Sequence, residues 1–235
     1  MPDIDIAPKA GDTSLRSLLV RYNPNALLLA AQLLQLILYA AFDGMHSQRA
    51  VISAIGAMAL LLIVWVVDRS PAHNWVAWLL AAPALLLTLV SIFIANDTLI
   101  VWSALLEGLL YFYAAGSLIV YMLNDDEVTV DEVFAAGVAF TLFAWGYAYF
   151  YLVCQAWIPN SFVYATHPGQ PLTFIELLFL SFTNLSATGL GDLVPVSAAA
   201  RVIAMIEQFT GVGYVAVVVS RLVSLANTRR KARGA

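Results

Sequence analysis

Pro171-Leu-Thr-Phe-Ile-Glu-Leu-Leu-Phe-Leu-Ser-Phe-Thr-Asn-Leu-Ser-Ala-Thr-Gly-Leu-Gly-Asp-Leu-Val-Pro195 is the stretch that decides the fold. Its apolar part, Leu172 to Leu185, is too short to cross a bilayer, which takes about 20 residues of helix. Thr173 and Glu176 stand at the spacing of a capping box, so a helix is expected to start there and run to about Ser186. The turn Gly189-Leu190-Gly191-Asp192 follows at once. A short helix ending in irregular backbone at membrane depth is tolerated only where protein buries it or it lines a wet cavity. The pattern is that of a re-entrant loop.

Working outward, long apolar runs flank this segment on both sides. They are Ala26 to Phe42, Ala50 to Val67, Trp75 to Ala95, Leu99 to Leu123 and Val133 to Trp157 before it, and Val196 to Leu225 after it. The chain is 62% hydrophobic and 11% charged, with a mean hydropathy of +0.84. A soluble domain carries about a quarter charged residues, so most of this chain belongs in lipid. Continuous runs of this length favour helices over the short alternating strands of a barrel. The expected fold is therefore all-α and integral to the membrane, with six transmembrane helices and a re-entrant helix and loop between the fifth and sixth. Trp75, Trp78, Trp102, Tyr121 and Trp157 near the run ends suit an interfacial belt. The first run is expected to stay as a permanent helix, since no clean cleavage site follows Leu38.

Basic residues set the expected orientation. With the N-terminus inside, Lys9, Arg16, Arg21, Arg69, Arg221, Arg229, Arg230, Lys231 and Arg233 are cytoplasmic, against Arg49 and Arg201 outside. The location that follows is a multi-pass cell-membrane protein with both termini cytoplasmic. The acids Asp125, Asp126, Glu127, Asp131 and Glu132 also fall inside.

The helix Thr173 to Ser186 would aim its carboxyl end into the membrane, where unpaired carbonyls favour a cation. Beyond it, Ala187-Thr188-Gly189-Leu190-Gly191 has two alternating glycines, which open backbone conformations that a Cβ blocks. Four copies around one axis would stack rings of carbonyl oxygens that replace an ion's hydration shell. A ring of Asp192 carboxylates at the outer mouth would concentrate cations.

Ser186-Ala-Thr-Gly-Leu-Gly-Asp192 resembles the potassium-channel signature Thr-Thr-Val-Gly-Tyr-Gly-Asp. The helix before it, the Asp-x-x-Pro after it, Pro159-Asn-Ser-Phe162 and Ser220-Arg-Leu-Val223 resemble small bacterial six-span members of that superfamily, best between Val128 and Leu225. The resemblance implies a homotetrameric channel conducting monovalent cations passively, with K+ as the permeant ion and no cofactor. It implies a selectivity filter at Ala187, Thr188, Gly189, Leu190 and Gly191, an outer mouth at Asp192, and an inner-helix hinge at Gly211 or Gly213. Gly211 has the matching offset from the filter, and close helix packing is the alternative role for either glycine.

The departures define the alternative. The innermost filter threonine aligns with Ala187 and the filter tyrosine with Leu190. The aromatic residues usually facing that tyrosine align with Phe179 and Leu180. A weakly selective Na+/K+ pore is the reading these changes favour, and a membrane transporter is a more distant one. A transporter would show paired broken helices in two halves, and only one re-entrant segment appears.

The implied organisation is a cytoplasmic segment 1–25, a four-helix unit 26–123, an acidic linker 124–132, a pore domain 133–225 and a basic tail 226–235. Leu99 to Leu123 carries no Lys or Arg, so it is not expected to sense voltage. Two acids lie within spans: Glu207, expected to be protonated or hydrogen-bonded behind the filter, and Glu107, expected to pair with a polar neighbour such as Gln32 or Gln35. His46 and His73 fall in loops and His167 in the turret before the pore helix, and each is expected to be solvated. The single Cys154 excludes an intrachain disulfide and a cysteine metal site. No histidine lies within a run and no Gly-x-Ser-x-Gly elbow occurs, so an intramembrane enzyme is not expected. The net charge of -4 gives no sign of nucleic-acid binding. Expected partners are further copies of the chain and membrane lipid, reached in part through the basic tail. No ligand-binding module follows that tail, so gating by one is not expected.

Overall fold

The computed structural model describes residues 24–41, 63–64, 74–93, 97–124, 130–164 and 169–233. Among these, six helices and two short strands follow one another as α1 (Pro24–Ala41), α2 (Asn74–Phe93), α3 (Asp97–Leu123), α4 (Val130–Trp157), β1 (Phe162–Tyr164), α5 (Phe174–Leu185), β2 (Leu193–Pro195) and α6 (Ala198–Arg233). Ile63 and Val64 are helical and buried. The rest of the second apolar run, the three histidines and Asp125, Asp126 and Glu127 lie outside the described residues.

Thr98–Leu123, Asp131–Trp157 and Ala198–Arg221 are long and apolar enough to cross a membrane, and Asn25–Ala41 and Trp75–Val90 are shorter apolar stretches. The chain is a helical membrane protein. The antiparallel pair β1–β2, with Phe162 opposite Pro195 and Tyr164 opposite Leu193, was not foreseen. Three-residue strands are too short to show the two-residue alternation by which a strand is read. Pro195 sits at the end of an edge strand, where its missing N–H costs nothing.

The centre of the molecule is α4. It packs against α1 and α3 on one side and α5 and α6 on the other. Its residues are apolar nearly all round because most of its surface is covered: Leu142, Ala144, Trp145, Ala148 and Tyr151 are fully buried. Where α3 crosses α4, Gly108 and Gly146 meet. A Cβ on Gly108 would stand 3.3 Å from the Gly146 carbonyl oxygen, and one on Gly146 would stand 2.8 Å from the Phe112 ring. Small residues let membrane helices approach this closely.

The first turn of α4 carries two of the acids assigned to the linker. Asp131 accepts from the Asn25 side chain at 2.6 Å and from the Asn25 backbone N–H at 3.3 Å, at the start of α1, where a helix favours an anion. Glu132 lies 3.6 Å from Arg221 of α6. Adjacent carboxylates thus tie α1 and α6 to one turn of α4.

α6 differs from α4 in what it leaves open. Of its membrane window 22% is buried, against 67% for α4. Val202, Met205, Ile206, Phe209, Val212 and Val215 are exposed, Phe209 at 81%. One face of α6 packs on α4 and α5, and a long apolar face has no partner among the described residues.

Candidate functional site

α5 begins as its sequence dictates. The Thr173 hydroxyl accepts from the Glu176 backbone N–H at 3.4 Å, and the Glu176 carboxylate accepts from the Thr173 backbone N–H at 2.7 Å. The reciprocal pair satisfies two otherwise free amides. Just before it, the Gln155 side chain of α4 donates to the Leu172 carbonyl at 2.9 Å and accepts from the Leu172 N–H at 2.8 Å. Phe174 is clasped by Tyr39, Trp145 and Tyr149, with ring centroids 4.8 to 5.8 Å away. The start of the short helix is therefore fixed to α1 and α4.

Its other end runs into the glycine-rich segment. Ser186 is the C-cap, and the Ala187 N–H bonds the Asn184 carbonyl at 3.0 Å. Ala187 has φ +57° and Gly189 φ +60°. The left-handed region costs an L-residue about 1–2 kcal/mol, so Ala187 is held there by its surroundings while Gly189 sits there freely. A β-branched residue fits such a conformation worst, so the threonine that the potassium-channel signature places at 187 does not suit this backbone.

The Thr183 carbonyl is the hub of the turn. It accepts from the Thr188 N–H at 3.0 Å, the Gly189 N–H at 3.1 Å and the Thr188 hydroxyl at 3.2 Å. Residues 186 to 192 are all exposed on the single chain. Leu190 is 54% exposed and Phe179 is 41% exposed. Asp192 is exposed and accepts from the Leu193 N–H at 3.1 Å. From there β2 pairs with β1, and Ser197 caps α6 by accepting from the Ala200 N–H at 3.1 Å.

Beneath the turn, α6 presents Glu207 and, one turn on, Gly211. Glu207 is fully buried. It accepts hydrogen bonds from the Ser181 hydroxyl of α5 and the Tyr151 hydroxyl of α4, and Asn184 also bonds it. Asn184 donates to the Tyr151 oxygen at 3.1 Å and accepts from Gln208 at 3.3 Å. Ser181 reaches the Ala144 carbonyl at 2.8 Å as well. Gly211 touches the last residue of α5, and a Cβ there would stand 2.0 Å from the Leu185 carbonyl oxygen. α6 runs through Gly211 and Gly213 without a break, and a Cβ on Gly213 would meet nothing within 4 Å.

Glu107 lies elsewhere, in α3, bonded to the Thr88 hydroxyl at 2.9 Å and to Tyr149. The expected partners Gln32 and Gln35 are otherwise engaged. Thr141 donates to Gln32 at 2.5 Å, and Gln35 bonds Tyr111. The reason is geometric: α1 sets Gln32 against Thr141 of α4 and Gln35 against Tyr111 of α3, one turn beyond Glu107, whose own bonds go to Thr88 of α2 and Tyr149 of α4.

The structure thus gathers residues 187–192, Glu207 and Gly211 around the end of α5, and leaves Glu107 apart. The supporting residues Tyr151, Ser181, Thr183 and Asn184 were missed from sequence. The signal was present, since Ser181, Thr183 and Asn184 are polar positions in an otherwise apolar twelve-residue helix. Among the described residues no His, Cys, Asp and Glu cluster suited to a metal ion occurs.

A short helix and a glycine turn thus stand between two long apolar helices of a helical membrane protein. A family model described as ion channel matches residues 108–227, just over half of the chain. The chain belongs to this ion-channel family and so to the potassium channel superfamily. No curated protein and no solved structure matches it.

Proposed function

We propose that the chain is one subunit of a homotetrameric, potassium-type channel that passes monovalent cations down their gradient. Backbone carbonyls of Ala187, Thr188, Gly189, Leu190 and Gly191 form the filter and Asp192 its outer mouth. α5 enters the membrane and returns, six spans put both termini in the cytoplasm, and α3 does not gate the pore by voltage. α6 lines the inner cavity, and Gly211 serves packing while Gly213 is the freer point for bending.

One observation carries this reading. A turn with exposed polar backbone, residues 186–192, lies at the carboxyl end of a largely buried helix whose last residue touches α6, a helix with an apolar face that the described residues leave uncovered. Lipid cannot satisfy such a turn, because each unpaired backbone group in hydrocarbon costs several kcal/mol. Four subunits closing on that face would cover the apolar residues of α6 and Leu190, and would enclose the turn around water and ions. The carboxyl end of α5 then points its partial negative charge at the cations.

A second reading, a weakly selective Na+/K+ pore, rests on the exposed Leu190 and on Ala187, which supplies no hydroxyl. Planar-bilayer recording of purified protein with KCl facing NaCl separates the two. A reversal potential that follows the K+ gradient supports the selective filter, and one near zero supports the weak one. Gly189→Ala, forced to φ +60°, is expected to abolish the current in either case. Unchanged current in that variant refutes the assignment of the filter.

A further inference from the structure

The filter of this chain lacks its usual lateral support. The signature tyrosine is Leu190, and the positions that would face it are Phe179 and Leu180. Leu190 carries no polar group that might tether the strand, and it is 54% exposed. A strand of backbone carbonyls that is to hold a bare cation needs fixed oxygens, because site geometry decides how well they replace water. Some other part of the chain has to hold them.

The support lies behind the helix instead of beside the strand. Gly189 and Thr188 hang by their N–H groups from the Thr183 carbonyl, at 3.1 and 3.0 Å. Thr183 lies in the last turn of α5, between Ser181 and Asn184. Those two residues hold Glu207, Ser181 through its hydroxyl and Asn184 through its side chain. Tyr151 of α4 binds both Glu207 and Asn184, so the carboxyl group joins three helices at one point. Glu207 and Gly211 are four residues apart on α6, and Ser181 and Leu185 four apart on α5. Two matching turns are keyed together, by hydrogen bonds at one level and by backbone contact at the next.

We infer that Glu207 is a positioning residue for the filter: it seats the end of α5, and through the Thr183 carbonyl it sets where the oxygens of Thr188 and Gly189 stand. This rests on the proposed pore. It assigns to the inner helix the role that the absent tyrosine has elsewhere in the superfamily. A buried carboxyl group that satisfies three side chains is expensive to remove, since each polar group left unpaired costs about 1–3 kcal/mol. The consequence at the filter is looser carbonyl geometry. A displaced ring discriminates less between ions of different size and collapses more often.

The test is single-channel recording of Glu207→Ala, Glu207→Gln, Ser181→Ala and Tyr151→Phe with KCl facing NaCl, together with a melting curve for each. Glu207→Ala is expected to change the Na+/K+ permeability ratio or the mean open time by roughly threefold or more, the scale on which one buried hydrogen bond shifts an equilibrium. Ser181→Ala and Tyr151→Phe move the same quantity in the same direction by less. Glu207→Gln keeps the side chain's shape and one of its two acceptor oxygens, so its effect falls between those of the wild type and Glu207→Ala. If Glu207→Ala does not assemble, the Ser181 and Tyr151 variants decide. Lower melting temperatures with unaltered permeability ratio and open time in every variant overturn the inference, leaving Glu207 a structural residue only. A wild type that carries no current refutes the pore itself and the inference with it.

Discussion

Gly211→Ala tests the closest contact in the fold. The new Cβ would stand 2.0 Å from the Leu185 carbonyl oxygen, 2.8 Å from its carbonyl carbon and 3.0 Å from its Cα. Ordinary contact begins at 3.4 Å, so α6 and the end of α5 must separate by about 1.4 Å along that line. All three atoms are backbone, and no rotamer change relieves them. Overpacking of this kind costs roughly 1–3 kcal/mol. The separation also draws on the Ser181–Glu207 and Asn184–Gln208 bonds one turn away. A typical intramolecular hydrogen bond contributes about 0.5–1.5 kcal/mol, so the combined loss is of the order of 2–4 kcal/mol. For a chain of this size 3 kcal/mol lowers Tm by roughly 6–12 °C. The assay is thermal melting in detergent beside Gly213→Ala, whose Cβ meets no atom of the chain within 4 Å. Equal melting of the two variants refutes the packing described here.

Four further outcomes are expected. Gly146→Ala brings its Cβ 2.8 Å from Phe112, and that ring can shift, so the loss in melting temperature is smaller than for Gly211→Ala. Thr173→Ala removes the capping box and costs about 0.5–2 kcal/mol of stability with an unchanged reversal potential, as melting and bilayer recording together show. Glu107→Ala removes one hydrogen bond each from the Thr88 and Tyr149 hydroxyls and costs about 1–3 kcal/mol, where Glu107→Gln costs less, in the same melting assay. No Lys or Arg lies between Asp97 and Leu123, so open probability is expected to vary shallowly with voltage. A slope as steep as the 3–4 charges per subunit of a voltage sensor contradicts that expectation.

How much of this was legible in the sequence differs from element to element. The start of α5 was, because Thr173 and Glu176 form a purely local motif, and local motifs need no knowledge of neighbours. The helices α3, α4 and α6 were, because runs of such length and hydropathy leave one option in lipid. The capture of Glu207 was readable in kind, since an acid within a span needs partners. Naming Tyr151, Ser181 and Asn184 was not, because they lie 23 to 56 positions from it in the chain and meet it only once three helices have packed. Glu107 does pair with polar neighbours, but which ones was hidden for the same reason: polarity suggested Gln32 and Gln35, and packing picked Thr88 and Tyr149. The bonds of Asp131 to Asn25 and of Glu132 to Arg221 were hidden in what read as a charged linker.

A structure of the purified protein reconstituted in K+ tests the central claim most directly. The account predicts a fourfold particle in which the carbonyl oxygens of Ala187 to Gly191 face a common axis, with ion density between successive rings and the α6 faces of Phe209 buried toward neighbouring subunits. A particle without that axis, or one in which these oxygens point away from it, contradicts the account.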